Sequence, residues 1–505
     1  MTRACVIGVA QHTWRPEDTQ PAGAPEPLAM WDDVARDAAA DAGAPGAIER
    51  LDRIDVVYCQ SWQYDDPPRR LAERLGAHPK DLRYSGAGGT VPQALLADAV
   101  AAIERGDLDV ALVAGGEALA TRRRMRHAGE RPAWSHPPAH KRPFPFDAPF
   151  HPAEIAHGAY EAWLTFALFD VAHRAASGAA PDAHRRSLGE LVAPLSAVAA
   201  RHPGAWFPVA LTVDEIITPR TGNRMVGYPY TKRMTAMMDV DMAAAVLVAS
   251  DEAADSLGVA DDRRVYLRGH GYAEDPRVVA AHPDLASSPA MARAARAALG
   301  AAGAAIDDVG YLDLYACFPS SISFALDALR IDPATARSPG LAVAPPRPVT
   351  LTGGLAYHGG PGSNTMTHAL ATLVGALRDD PGSLGLASGV GMHMTKHAFG
   401  IWSTDPGTGQ AVGSPADAAQ RMPAPEVPVA ESYDGPATVA TYTVVHGRDG
   451  DATHAVVVCD IPGGRCYAHL DDAGALDRAE AEELVGAPVA ITAGDGAPNS
   501  AHLLG

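Results

Sequence analysis

A layered α/β protein followed by a small barrel-like β domain is the fold class this sequence predicts, on three observations. Short β-branched runs alternate with alanine-rich amphipathic stretches from residue 1 to about 400. One loop, helix and strand unit occurs twice. Beyond about residue 436 closely spaced strand-like segments dominate.

The elements follow in order. The run ACVIGVA reads as a strand, Pro27 to about Ala42 as a helix, IDVVYCQ as a strand, VPQALLADAVAAIERG as a helix and DVALVAGGEAL as a buried strand. From about Thr121 to Thr231 the rhythm breaks into Pro-, His-, Arg- and Trp-rich sequence around one helical stretch, HGAYEAWLTFALFDVAHRAA, which predicts a long insertion over a site. The repeated unit is YSGAGGT, helix, DVALVAGG in the first copy and YHGGPGSN, helix TMTHALATLVGALRDD, SLGLASGVG in the second. A Pro/Gly/Ala-rich linker follows residue 405. The segments ATVATYTVVHG, HAVVVCDIP and RCYAHL, the helix AEAEELVG and the strand APVAITAG then predict an OB-like barrel.

Composition excludes several classes of function. A chain of 505 residues predicts about three domains. With 47% hydrophobic and 20% charged residues it is neither disordered nor fibrous. No window reaches the roughly 18 apolar residues of a membrane helix, and MTRACVIGVAQHTW carries no signal-peptide pattern, so a cytoplasmic protein is expected. The net charge of −19 repels nucleic acid and anionic lipid. The barrel segment is itself acidic, 4 basic against 13 acidic residues from Arg421 to Gly505, so no nucleic-acid role is expected for it. Five scattered cysteines without a CxxC predict neither a disulfide framework nor a metal site. Cys459 and Cys466, flanking an IPGG turn, are expected to face each other across a hairpin as small hydrophobes.

Over residues 1 to 405 the sequence resembles the thiolase superfamily. IERGDLDVALVAGGEAL is similar to the region after the family's acyl-accepting cysteine, and MMDVDMAAAVLVAS to its Asn-Asp-Gly-Ala strand. TGGLAYHGGPGSN stands in place of the Gly-His-Pro loop and GLASGVGMHMTKH in place of the C-x-G loop, while DLYACFP resembles the HDCF motif of the sterol-carrier type. With its extra C-terminal domain the chain resembles the actinobacterial thiolase-like protein type 1 group, generally labelled acetyl-CoA acetyltransferases. The resemblance implies two βαβαβαββ halves stacked in five layers, over residues 1–255 (with an insertion at about 121–231) and 256–405, then a linker at 406–435 and a β domain at 436–505. It also implies a coenzyme A thioester as substrate or ligand and no permanently bound cofactor. Thiolases pair through an edge strand adjoining DLRYSG; an acidic appended domain there favours a monomer over a homodimer.

A thiolase needs a thiolate at a helix N-terminus. Aligned on the family pattern, Gly88 takes that position and Gly389 that of the second cysteine, which leaves acid/base chemistry on a thioester without a covalent acyl-enzyme, such as a retro-aldol or Claisen step. His358 is the expected oxyanion donor or acid/base, Tyr315 a second donor in the place of the HDCF histidine, Cys317 the one thiol near the site, and His393, among His393, Lys396 and His397, a pocket-facing group. Gly359 and Gly360 allow close backbone approach to the ligand. Arg122, Arg123 and Arg126, with Lys232, are expected to grip the coenzyme A phosphates. Asn364 is expected to cap the helix after the His358 loop. Two other functions remain open: acetyl transfer with Cys317 as a relocated nucleophile, and a non-enzymatic acyl-CoA or lipid carrier.

Overall fold

Two runs set the architecture: VALVAGGEA and DMAAAVLVAS are buried at every position, as strands covered on both faces must be. The computed structural model describes residues 2–19, 25–141, 150–332, 348–407, 425–494 and 496–504. Its N-terminal half comprises β1 (Ala4–Thr13), α1 (Pro27–Asp41), β2 (Arg53–Val56), α2 (Pro67–Leu75), β3 (Asp81–Tyr84), α3 (Val91–Glu104), β4 (Val110–Ala118) and α4 (Leu119–His127). The insertion adds two long helices, α5 (Ala162–Ser177) and α6 (Pro181–Ala199), and a hairpin, β5 (Met225–Gly227) and β6 (Tyr230–Thr231), before β7 (Asp241–Ser250) rejoins the sheet. The C-terminal half comprises β8 (Val265–Glu274), α7 (Pro289–Ala302), β9 (Val309–Asp313), α8 (Pro319–Leu329), α9 (Thr365–Asp379), β10 (Leu384–Gly391) and β11 (Lys396–Ser403).

The strand order β3-β2-β4-β7-β1-β8-β11-β10-β9 is one arrangement mirrored about β1 and β8. In each half a parallel pair, β2–β4 or β9–β10, is followed by two antiparallel pairings. Between the halves only Cys5↔Tyr266 and Val6↔Val265 pair. The same packing device also occurs twice. A Cβ on Gly8 of β1 would run into the carbonyl of Ala38 on α1, and one on Gly271 of β8 into that of Ala294 on α7, so each opening strand and the helix that follows it touch backbone to backbone. The duplication expected from the two loop–helix–strand copies is thus built into the topology.

Three apolar layers fill the core. α1 and α2 cover the outer face of the first half. α3 and α9 lie between the halves, with Leu96 and Val100 meeting Leu370, Leu373 and Val374. α7 and α8 cover the outer face of the second half. With the two halves of the nine-stranded sheet this makes the five expected layers.

At the C-terminus, β12 (Val429–Ala430) pairs with β15 inside the stretch expected as linker, of which residues 408–424 lie outside the described residues. The barrel consists of β13 (Gly435–His446), β14 (Ala452–Ile461), β15 (Gly464–Leu470), α10 (Ala473–Ala481), β16 (Pro488–Thr492) and β17 (Ser500–Leu503). It closes in the order β13-β14-β15-β17-β16-β13, with the helix late in the segment as expected. Cys459 and Cys466 are directly opposed, buried in its core and unbonded. The insertion holds the barrel: β5 pairs with β13, and the buried Arg174 of α5 donates to Tyr228 Oη at 2.9 Å, Tyr442 Oη at 3.0 Å and Glu483 Oε1 at 2.8 Å. Among the described residues no helix is long and apolar enough to cross a membrane.

Candidate functional site

The two copies of the loop–helix unit converge on one cavity of about 430 Å³, in the size range of small-molecule sites. From the first copy, Ala87, Gly88 and Gly89 line it at the approach to α3; from the second, Gly360, Gly362 and Ser363 line it at the approach to α9. Ser363 joins the two, its Oγ accepting the Gly88 N–H at 2.9 Å. Asn364 sits at the start of α9 as expected, but its side chain makes no cap; Nδ2 donates to the Gly115 carbonyl of β4 at 2.7 Å.

Gly88 has a φ of +146°, and a Cβ there would meet only ordinary van der Waals contacts at 3.8–3.9 Å, so the expected cysteine position lines the cavity with backbone alone. Gly389 differs: a Cβ there would lie 2.7 Å from the Gly89 carbonyl and 2.8 Å from Met366 Sδ, in the middle layer. The residue of β10 that lines the cavity is its neighbour Val390. Tyr315 and Cys317 both line the cavity, as the sequence suggested. Burial raises the Tyr315 phenol and pushes the Cys317 thiol up to about 12, so both are neutral near pH 7.

His358 is not in this wall. It is buried in a cluster of three histidines, its ring centroid 4.8 Å from that of His202 and 5.6 Å from that of His368, and burial holds it neutral. The residue of this loop that lines the cavity is Gly360, two positions further on. Gly359 turns the loop at φ +110°, where a Cβ would press on Met242 Sδ at 2.7 Å. His393 is also drawn away, bonded through Nδ1 to Thr165 Oγ1 at 2.7 Å and depressed to about 4 by burial, while its neighbour Met392 lines the cavity. His397 belongs to a buried network with Asp275 and Ser288, each 3.1 Å from its Nε2.

Sequence reasoning missed Glu117, at the end of β4. It lines the cavity although its residue surface is only 1% exposed. Its carboxylate accepts the Gln60 N–H at 2.7 Å and the Ser61 N–H at 2.8 Å, while Arg122 Nη1 donates to the carbonyls of the same two residues at 2.9 and 3.3 Å. Burial raises its pKa against the pull of those N–H donors. The signal was present: one acid closing an otherwise apolar strand run, VALVAGGE.

Gln60 also lines a second cavity, of about 500 Å³, with Arg122, Arg123, Arg126 and Arg131. The three arginines expected to act together do share a wall, where Arg123 pairs with Asp239. Lys232 is elsewhere, in a third cavity of about 610 Å³ between the insertion and the barrel, with Arg220, Arg224 and Arg448. Among the described residues no group of three or more His, Cys, Asp or Glu could hold a metal ion.

A duplicated, mirrored α/β half, with two helix-entry loops meeting at one cavity, is the architecture of a thiolase, and the chain belongs to the thiolase superfamily. Within it the chain is similar to an SCP2-thiolase-like protein type 1 from Mycobacterium smegmatis, whose crystal structure is that of a monomer: 28% identity, 99% of each chain covered, TM-score 0.82. Residues 417–496 match the thiolase-like protein type 1 additional C-terminal domain. Two more distant structures share the fold. The Ltp2–ChsH2(DUF35) aldolase has 17% identity over 80% of this chain and 99% of that one, TM-score 0.59. An acetyl-CoA acetyltransferase from Syntrophomonas wolfei has 15% identity over 80% of this chain and all of that one, TM-score 0.54. No curated protein matches the sequence.

Proposed function

We propose that this protein binds a coenzyme A thioester in the central cavity, with its phosphates in the adjoining arginine cavity, and makes or breaks a C–C bond β to the thioester carbonyl without a covalent acyl-enzyme. One observation carries the reading: the cavity at the α3 N-terminus presents Gly88 in place of a thiolate, yet keeps a buried carboxylate, Glu117, on the same wall. In the retro-aldol direction Glu117 takes the β-hydroxyl proton, the C–C bond breaks to release a carbonyl compound, and the electron pair passes into the thioester as an enolate. The Tyr315 phenol is a neutral donor able to stabilise that enolate, which is then reprotonated. Acetyl transfer through Cys317 is disfavoured, because a thiol held at about 12 is almost wholly unionised at pH 7.

Incubation with acetyl-CoA should leave the protein mass unchanged, and an acyl adduct on Cys317 would establish the transferase reading instead. With a panel of β-hydroxyacyl-CoA esters, Glu117→Gln should lower kcat by about 10²–10⁴-fold, whereas His358→Gln should leave it within a few-fold. If no ester turns over but coenzyme A binds, the carrier reading stands. We further propose that the protein is a monomer, on the strength of its monomeric relative; light scattering tests this.

A further inference from the structure

We propose that the acyl part of the ligand ends in a carboxylate, received by Arg224 where the central cavity meets the seam between insertion and barrel. This rests on the coenzyme A reading and names the class of acyl group.

Much of the central cavity's wall is apolar, with Trp163, Phe166, Val226, Phe318 and Leu355, and such a wall suits an acyl chain. Among its described residues Arg224 is the one cation, and it lines the seam cavity as well. Its position is set by main chain: Nη1 donates to the Met225 carbonyl at 2.7 Å and to the Gly447 carbonyl of the β13–β14 turn at 3.3 Å. The barrel therefore helps to orient the guanidinium. Among the described residues Arg224 bonds to carbonyls and to no carboxylate, although Glu117 and Glu161 line the same cavity. Its Nε and Nη2 keep their donors for a ligand. A fork oriented by carbonyls, lacking a carboxylate and standing against an apolar wall is suited to a carboxylate and penalises a neutral end that leaves it unpaired. The seam is also lined by Arg220, Lys232 and Arg448 against Asp449 and Asp451, with Arg220 paired to Glu215, so its cations outnumber its acids in a chain whose net charge is −19.

The seam could instead hold the coenzyme A phosphates, so the experiment separates the two anions. Calorimetry on the full-length protein compares glutaryl-CoA with pentanoyl-CoA, which have equal chain length, and with free coenzyme A. The expected result is glutaryl-CoA bound about ten- to a hundredfold more tightly than pentanoyl-CoA. Arg224→Gln should abolish that ratio and leave coenzyme A affinity unchanged, and Arg224→Lys should restore it in part. Equal binding of the two esters by the wild type overturns the inference whether or not any variant folds. Equal weakening of coenzyme A and glutaryl-CoA by Arg224→Gln overturns it too, and assigns the seam to the phosphates. Free glutarate supplies the independent arm. If it binds in an Arg224-dependent manner while coenzyme A does not bind, the anion site stands and the coenzyme A reading falls.

Discussion

The loop before α3 and the loop before α9 are two copies of one device, and they have diverged in opposite ways. The first, SGAGGT, carries no ionisable group and offers backbone to the cavity, with Gly88 open and Gly89 closed off by the Tyr315 hydroxyl. The second, HGGPGSN, keeps a histidine but turns it into a buried cluster with His202 and His368. Ser363 and Asn364 from this loop hold the backbone of the first copy. The second copy thus supports and the first receives. Both loops still meet at one cavity, while its buried acid, Glu117 at a strand end, stands outside the duplicated loops.

Acid should break this comparison most strongly. His202 is depressed to about 4 by burial with help from Arg15, His368 to about 3 by burial and His202, and His358 lies well below its ordinary value. The unfolded chain therefore binds more protons than the folded one between about pH 6.5 and 4. Stability from these groups is complete above pH 6.5 and is lost as pH falls through that window. Hydrogen exchange should show residues 359–364 opening before residues 86–90. Simultaneous opening would remove the distinction between a charged and an uncharged copy.

Truncating the shared middle layer comes next. Leu96→Ala on α3 and Leu370→Ala on α9 should each cost about 2–5 kcal/mol in denaturant unfolding, because both side chains are buried in the same core. Unequal costs would show that one half is the sturdier.

The glycines sharpen the comparison further. Gly89→Ala drives a methyl group into the Val390 carbonyl and the Tyr315 ring, at a cost of about 1–3 kcal/mol or more. Gly88→Ala meets only ordinary van der Waals contacts and costs about 1 kcal/mol for a positive φ. Thermal melts of the two variants check the order. The smallest effect expected on the fold is that of Arg123→Ala with Arg126→Ala. On exposed α4 this pair should leave unfolding within about 0.5 kcal/mol while weakening coenzyme A binding by calorimetry; unchanged affinity would clear the arginine cavity of its proposed role.

Period and composition are local properties, and by themselves they determined the α/β layering, the duplicated unit and the barrel with its late helix. The three arginines on one wall were legible from a local charge run, whereas the α3 N-terminus without a thiol, and Tyr315 and Cys317 near the site, were legible only through the resemblance to the thiolase superfamily. Tertiary structure alone decided which polar side chains line the cavity. His358 is two residues from Gly360, and that offset turns a histidine from the cavity into the middle of the molecule. Glu117 becomes a cavity group through N–H donors more than fifty positions away in sequence. Arg224 is oriented by a carbonyl 223 positions further on. Burial and hydrogen bonding depend on which segments meet after folding, and no window of sequence contains both partners.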